Sequence, residues 1–234
     1  MSALSLSSNF SLKMLQLSTL KFLRDLKKNN NKPWFDAHRS AYETAKADFE
    51  KFIQQVIDKH SVNDPDLKNL LAKKCMFRIN RDIRFSKDKT PYKKNFAASL
   101  DKDGKKSGFA GYYFHLEPGN SFLGAGIWQP EPDKLKKIRQ EIDYSADEFR
   151  KILNTKKTKS IYKELYTGED VQLKNIPQGF EKDNPAAEFL RFKSWMLIAE
   201  VPDKVLTSPL LLKKIVEAFL SAQPFVKFLN RSLI

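Results

Sequence analysis

The spacing of apolar residues changes twice along this chain, and that change limits the folds that the sequence can form. Apolar residues recur at helical spacing over residues 11–60, alternate with a period of two between about 75 and 128, and return to helical spacing from residue 131. A second alternating segment follows at 195–201. Helices before and after a block of consecutive strands are typical of the α+β class.

The middle of the chain is predicted to form an antiparallel meander. Its alternating segments lie at 75–81, 94–101, 110–117 and 121–128. Two segments rich in turn-forming residues, DKDGKKSG and EPGNS, connect the last three of them. Because such turns reverse the chain, we expect neighbouring segments to pair as antiparallel strands, with the segment 195–201 as a later strand.

Helices are predicted on both sides of these strands. The first two cover residues 11–28 and 33–60, and the polar run at 29–31 separates them as an antiparallel helical pair. The later helices are predicted over 131–143, 145–153, 156–165 and 209–230. The predicted fold is a central antiparallel sheet with an N-terminal helical pair and C-terminal helices packed on it. No Pro/Gly/Ser-rich linker interrupts the sequence, so we expect one domain over 1–234 with a frayed leader at 1–10.

The composition is that of a globular protein with a large excess of positive charge. Of the 234 residues, 41% are hydrophobic, which is enough for a sizeable core. The formal net charge of +14 favours a polyanionic partner. Cys75 is the only cysteine, and the three histidines lie far apart without metal-ligand spacing. We therefore expect no internal disulfide, no metal site and no cofactor.

The N-terminus and the hydropathy of the chain indicate a cytoplasmic protein. The first residues, MSALSLSSNF, lack the basic region, the apolar region and the cleavage pattern of a signal peptide. No segment holds the roughly 20 consecutive apolar residues of a membrane-spanning helix. We therefore expect no membrane partner, and the sequence does not indicate an oligomeric state.

The segment RINRDIRFSKDKTPYKK at 78–94, here called the basic block, holds seven basic and two acidic side chains. Like charges at this density repel one another unless counter-charges, solvent or a bound anion offset the repulsion. The block is predicted to end one strand and to form the loop before the next, a common position for binding groups. Arg78, Arg81 and Arg84 would offer planar guanidinium groups to phosphate or carboxylate oxygens. The alternative is that neighbouring carboxylates pair with these arginines and hold the loop in place.

Side-chain alternation predicts a second polar surface on one face of the sheet. In GYYFHLEP, Tyr113, His115 and Glu117 lie on the face opposite the apolar core positions. In SFLGAGIW, Gly124 and Gly126 lie on one face between two aromatic residues, where they allow a ligand to approach the backbone. If these polar faces coincide with the basic block, the arginines turn toward a hollow in the sheet.

The predicted site combines the basic block with this face. The predicted ligand-binding residues are Arg78, Asn80, Arg81, Arg84, Ser86, Asp88, Lys89, Tyr92, Lys93, Tyr113, Gly124, Gly126 and Trp128. His115 and Glu117 are the candidate catalytic acid–base pair. The alternative is that His115 and Glu117 form an ordinary structural contact.

The sequence carries no complete signature of a known reaction, so it does not assign an enzymatic activity. The first hypothesis is a pocket for a small anionic ligand, phosphorylated or carboxylated, in which His115 or Glu117 moves a proton if the protein is an enzyme. The first alternative is a nucleic-acid-binding protein that uses the segment 73–94, including the aromatic rings of Phe85 and Tyr92. The second alternative is a non-catalytic protein whose basic loop docks on an acidic protein partner.

Four ordered motifs carry a resemblance to a known family, and the resemblance covers nearly the whole chain. They are FLRDLKKNNNKPWFDAHRSAYE (22–43), FRINRDIRFSKDKTPYK (77–93), GYYFHLEPGNSFLGAGIWQPEPDKLKKIR (111–139) and LKNIPQGFEKDNPAAEFLRFK (173–193). The chain resembles domain-of-unknown-function family 2461, an uncharacterised family of bacterial and fungal proteins. The resemblance implies one α+β domain of about this size and no assigned reaction, so it supplies no catalytic residues.

Overall fold

The structure is a computed structural model that describes residues 14–168 and 171–234. The predicted leader at 1–10 lies outside the described residues. Within the described ranges the chain forms ten α-helices, one short 3₁₀ helix and four strands, with helices at both ends of the sheet. The prediction of an α+β fold is confirmed.

Three helices form the N-terminal part of the described chain. They are α1 (Leu17–Lys28), α2 (Lys32–Ala37) and α3 (Arg39–His60), and α1 packs against α3. The second predicted helix, over 33–60, is interrupted at His38, whose backbone torsions of φ −112° and ψ 21° are not helical. Asn31 accounts for the start of α2, because its side chain accepts a hydrogen bond from the Trp34 backbone N–H at 3.0 Å.

The sheet has four antiparallel strands in the order β1-β2-β3-β4. They are β1 (Phe96–Asp101), β2 (Gly111–Leu116), β3 (Phe122–Ile127) and β4 (Trp195–Glu200). Tyr113 of β2 stands opposite Ser99 of β1 and Gly124 of β3, and Gly124 in turn stands opposite Ile198 of β4. The antiparallel meander is confirmed, and its register brings the polar positions of the middle strands to one face.

The prediction of a strand at 75–81 is wrong. A short helix, α4 (Ala72–Cys75), covers its start. Among the described residues it is followed only by isolated bridges, between Met76 and Ala98 and between Asn80 and Tyr92. After the bridge to β1 at Met76, the chain turns away from β1 and forms its next bridge with residue 92, where the loop comes back. Neither bridge is therefore extended into a strand pair.

The remaining helices place the apolar core on one side of the sheet. After the 3₁₀ helix Pro65–Leu67 and α4, they are α5 (Pro132–Tyr144), α6 (Ala146–Leu153), α7 (Lys156–Tyr162), α8 (Ala187–Leu190), α9 (Asp203–Leu206) and α10 (Leu210–Arg231). Phe114 of β2 contacts Phe49 of α3, and Tyr112 of β2 contacts Phe219 of α10. Because α3 and α10 cover this face, the opposite face of the sheet is left to form the candidate site.

No helix within 14–168 or 171–234 is both long enough and apolar enough to cross a membrane.

Candidate functional site

The sheet face that points away from α3 and α10 forms the floor of a cleft of about 780 Å³. All four strands contribute to this floor, through Ser99, Asp101, Gly111, Tyr113, Phe122, Gly126, Met196 and Ile198. The walls are formed by Phe77, by the β1–β2 loop that carries Phe109, and by the segment 128–134 after β3. This volume lies within the range of small-molecule binding sites, roughly 300–1,000 Å³.

Two glycines of β3 shape the floor of the cleft in different ways. Gly126 has a φ of +130°, and a Cβ on it would overlap the Trp195 carbonyl oxygen of the neighbouring strand. Gly124 lies below Met196, whose Cε would be 3.1 Å from an added Cβ. Gly126 is therefore required by the close approach of β3 and β4, whereas Gly124 makes room for the Met196 methyl group.

The walls of the cleft combine aromatic rings with positive charge. The distances from the ammonium nitrogen to the ring centroid are 5.4 Å for Lys93 and 6.0 Å for Lys105 at Phe77, and 5.5 Å for Lys102 and 4.8 Å for Lys134 at Phe109. Ammonium groups at such distances are attracted by the ring quadrupole. Trp128, which is 50% exposed, adds a third aromatic surface.

Asp101 is a buried carboxylate on the floor of the cleft. Burial raises the pKa of Asp101 to about 6. Ser99 donates a hydrogen bond from its hydroxyl to one Asp101 oxygen at 2.6 Å, and among the described residues no side chain or N–H donates to the other oxygen. Asp101 can therefore accept a hydrogen bond or a proton from a ligand in the cleft.

A chain of polar contacts leads from α1 to the floor of the cleft. Lys27 Nζ lies 3.1 Å from Glu117 Oε1, Glu117 Oε2 lies 3.4 Å from His115 Nε2, and His115 Nδ1 lies 3.2 Å from the Tyr113 hydroxyl oxygen. His115 also stacks on Phe122 at a centroid distance of 4.6 Å. The structure thus brings His115 and Glu117 together, as the sequence predicts, although neither lines the cleft directly.

The protonation of this chain follows from its surroundings. Burial lowers the pKa of His115, which favours the neutral ring, and burial raises the pKa of Tyr113 to about 12. For Glu117, burial acts to raise the pKa, but hydrogen bonds from Lys27, His115 and Asn120 lower it overall. The Glu117 carboxylate favours the tautomer in which His115 Nε2–H donates to it, and Nδ1 is then an acceptor within reach of the Tyr113 hydroxyl and of Asn95 Nδ2, at 3.2 and 3.5 Å.

The arginines of the basic block do not converge on the cleft as expected. Arg81 donates to Asp88 at 2.6 Å, to the Thr90 carbonyl oxygen at 3.0 Å and to Ser86 at 3.3 Å. Arg84 donates two hydrogen bonds to Asp82, at 2.9 and 2.7 Å, and its side chain is 75% exposed. The expectation that these guanidinium groups turn toward a hollow in the sheet is corrected for both residues, because carboxylates a few positions away in the same loop reach them first.

Other predicted ligand contacts in the basic block hold the loop or enter the core. Lys89 donates to the Ile83 carbonyl oxygen at 3.0 Å, while Asn80 pairs with Tyr92 through the isolated bridge. Tyr92 is 6% exposed and stacks on Phe35 at 4.0 Å, so it belongs to the core. None of these residues lines the cleft among the described residues.

Lys93 lies beside the Phe77 wall, and Arg78 is close enough for its charge to act on Lys93, although neither residue lines the cleft itself. Lys93 is near the ring of Phe77, and Arg78 is exposed next to Phe77 in the chain. Burial lowers the pKa of Lys93, and the positive charges of Arg78 and Lys105 lower it further. The basic block therefore places positive charge next to the Phe77 wall through Lys93, with Arg78 nearby, whereas Arg81 and Arg84 pair with acids of the loop.

The predicted residues that line the cleft are Tyr113, Gly126 and Trp128. Sequence reasoning missed the cleft residues Phe77, Ser99, Asp101, Phe109, Lys134, Met196 and Ile198. Period-two alternation places Ser99 and Asp101 on the face of Tyr113, so applying it to β1 would have found them. The loop residue Phe109 carries no comparable signal.

The described part of the chain, residues 14–168 and 171–234, contains no group of three or more His, Cys, Asp or Glu side chains arranged to hold a metal ion. Comparison with curated proteins and with solved structures gives no match. A family model described as a conserved hypothetical protein, DUF2461, matches residues 18–228. The chain therefore belongs to the DUF2461 family.

Proposed function

We propose that the cleft binds a small anionic molecule that contains a ring. The observation that carries this proposal is the pairing of two lysine ammonium groups with each of two wall phenylalanines, Phe77 and Phe109, of a cleft of about 780 Å³. Of these four lysines, Lys134 also lines the cleft. Aromatic walls favour a flat or apolar ring, and the ammonium groups favour an acidic substituent.

The interior of the cleft favours hydrogen-bond donors on the ligand. Asp101 has one oxygen without a donor among the described residues, and Ser99 directs its hydroxyl hydrogen at the other oxygen. The Tyr113 hydroxyl directs its hydrogen at His115. Because all three inner groups present lone pairs, we propose a ring with hydroxyl or amino groups at the floor and the acid at the rim.

If the protein is an enzyme, Tyr113 and Asp101 are the residues that would contact the substrate. Asp101 would accept a proton from the ligand, and His115 with Glu117 would hold the Tyr113 hydroxyl in place. In this scheme the predicted pair of His115 and Glu117 positions a ligand contact and does not itself touch the ligand.

Binding measurements with a substituted protein test this proposal. Compounds that combine a hydroxylated or aminated ring with a carboxylate or phosphate are screened by thermal shift, and the affinity of each hit is measured by calorimetry. Replacing Trp128 with Ala should leave the fold intact, because this side chain is already 50% exposed. The loss of its aromatic surface should lower the affinity of the protein for the hits by about tenfold. Tyr144→Ala is the matched control, because Tyr144 is 88% exposed outside the cleft.

Two results would contradict the proposal. One is a screen in which no such compound binds the wild-type protein. The other is a set of hits whose affinity is the same in the Trp128→Ala protein and in the wild-type protein.

One observation favours a second candidate function, nucleic-acid binding by the basic block. Phe85 is 94% exposed, and the guanidinium carbon of Arg84 lies 5.7 Å from its ring centroid. An exposed ring beside cations is suited to stack on a base of a single strand. We expect a single-stranded oligonucleotide to bind at low salt and to lose affinity in the Phe85→Ala protein but not in the Tyr144→Ala protein. No gel shift at low salt would contradict this candidate.

A further inference from the structure

We infer that the Phe77 end of the cleft is a phosphate subsite formed by Arg78, Lys93 and Lys105. This inference rests on the proposed function and deepens it, because it names the acidic group of the ligand as a phosphate monoester. The three cations come from separate parts of the chain, namely the basic block on both sides of its loop and the β1–β2 connection.

The geometry of Phe77 brings the two ammonium groups together. Lys93 and Lys105 lie 5.4 and 6.0 Å from the same ring centroid, so their nitrogens are no more than about 11 Å apart. Lys105 also donates a hydrogen bond to the Met76 carbonyl oxygen, which fixes its position next to Phe77. The lowered pKa of Lys93 reflects the charges of Arg78 and Lys105 in addition to burial.

The positive charge of this cluster is not neutralised by the acids around it. Within the described chain, Arg78, Lys93 and Lys105 form no ion pair within 4 Å. Asp82 is the carboxylate on which the Arg78 charge acts, and it is already bound by two nitrogens of Arg84. The cluster therefore differs from Arg81 and Arg84, whose charges are balanced by Asp88 and Asp82.

A phosphate monoester suits this cluster better than a carboxylate does. A phosphate monoester carries two negative charges and three terminal oxygens, so it can interact with more of these cations at once than a carboxylate can. At the other phenylalanine wall, Lys134 already donates to the carbonyl oxygens of Ser107 and Gly108, at 3.3 and 2.8 Å. At the Phe77 end, the Lys93 ammonium group has no hydrogen-bond partner among the described residues and Lys105 donates to one carbonyl oxygen, so both keep N–H donors for an anion.

The test uses four small probes and the full chain. Inorganic phosphate, phenyl phosphate, dimethyl phosphate and benzoate are titrated into labelled protein, and the backbone amide signals of Phe77, Lys93 and Lys105 are followed by NMR. We expect saturable shifts of these amides with phenyl phosphate and with inorganic phosphate. The diester dimethyl phosphate and the carboxylate benzoate are expected to bind more weakly, because each carries a single charge.

Charge substitutions locate the site. The Lys93→Gln and Arg78→Gln substitutions should each lower the affinity for phenyl phosphate by about tenfold or more, while Lys93→Arg should retain most of that affinity. Lys87→Gln is the matched control, because it removes the same charge from an exposed position of the basic block. The control should change the affinity less than about twofold.

The outcomes separate this inference from the proposed function. Two results would overturn the inference. One is that the amide shifts do not saturate as phosphate is added, and the other is that phosphate binds the Lys93→Gln and wild-type proteins with the same affinity. If phenyl phosphate then still binds in the cleft and is weakened by Trp128→Ala, the proposed function stands without the phosphate subsite. Saturable shifts confined to residues 81–90 would instead assign phosphate to the loop and would also overturn the inference.

Discussion

His60 and Asp101 are buried ionisable residues that link the free energy of unfolding to pH in opposite directions. His60 is 0% exposed, its ring lies 4.5 Å from Tyr112 and 5.6 Å from Phe219, and neither ring nitrogen has a hydrogen-bond partner among the described residues. Burial lowers the pKa of His60 to about 4. Burial raises the pKa of Asp101 to about 6. Each residue therefore makes a separate prediction about stability.

His60 should cause a loss of stability in acid. Because its folded-state pKa of about 4 lies below the ordinary value of 6.5, the unfolded chain binds the proton more tightly. Stability is fully present above pH 6.5 and falls as the pH drops toward 4, by on the order of 3 kcal/mol. We expect the His60→Leu protein to lose less unfolding free energy than the wild-type protein between pH 7.5 and 4.5, as measured by urea titration. The exposed His38, replaced by Leu, is the control, and an identical pH dependence in all three proteins would refute this prediction.

Asp101 should destabilise the protein at neutral and alkaline pH. Its folded-state pKa of about 6 lies above the ordinary value of 3.8, so the folded chain binds the proton more tightly and the ionised form carries the cost of burial. We expect Asp101→Asn to raise the unfolding free energy at pH 8 by on the order of 2 kcal/mol, and this gain should vanish near pH 4. Thermal unfolding at both pH values provides the measurement, with the exposed Asp103→Asn as the control. A destabilised Asp101→Asn protein at pH 8 would show that the carboxylate has a stabilising partner.

At the scale of elements, the loop 81–90 owes its conformation to Arg81 more than to Arg84. Arg81 has a 24% exposed side chain and connects Asp88, Ser86 and Thr90. The Arg84 side chain is 75% exposed and contacts Asp82, two positions away. A local, exposed ion pair of this kind contributes little to the stability of a fold.

Hydrogen exchange distinguishes these two arginines. The Thr90 amide donates to Asp88 at 2.9 Å, and Asp88 is in turn held by Arg81. We expect Arg81→Ala to accelerate exchange at Thr90 by about tenfold because the loop opens more often, while Arg84→Ala leaves this rate unchanged. Equal rates in the Arg81→Ala and wild-type proteins would contradict the account of the loop.

The pairing of β3 with β4 depends on one glycine rather than on both. A Cβ on Gly126 would overlap a backbone oxygen at a φ of +130°, whereas a Cβ on Gly124 would meet only the flexible end of Met196 and the Tyr113 Cβ. We expect Gly126→Ala to cost more than about 2 kcal/mol of unfolding free energy or to prevent folding, and Gly124→Ala to cost less than about 1 kcal/mol. Chemical denaturation of both proteins measures this, and equal losses would be inconsistent with the register of β3 and β4.

At the scale of the whole molecule, the sequence predicts the sheet better than it predicts the site. In β2 the alternation is clear, and its apolar half, including Tyr112 and Phe114, meets α3 and α10. The segment 75–81 alternates in the same way, yet the chain turns away from β1 to pair with its own return. Alternation fixes the face on which a side chain lies, but pairing depends on the path of the whole chain.

The same limit explains the errors in the predicted site. The composition of the basic block suggests an anion site, but it does not show where each side chain points. Asp88 and Asp82 lie within 3 Å of Arg81 and Arg84 and determine the orientation of these two arginines. Alternation gives the face on which Asp101 lies, but the burial that raises its pKa comes from the neighbouring strand β2 and depends on the strand register. Tyr113 lies where the alternation predicts, because its neighbours on β2 are held in the core.

A crystal structure of the protein with phenyl phosphate tests the central claim most directly. We expect the phenyl ring between the aromatic walls of the cleft, near Trp128 or Tyr113, with the phosphate beside Lys93. A ring bound on the loop 81–90, or a cleft that stays free of the compound at saturating concentration, would contradict the claim that this face of the sheet is the ligand-binding site.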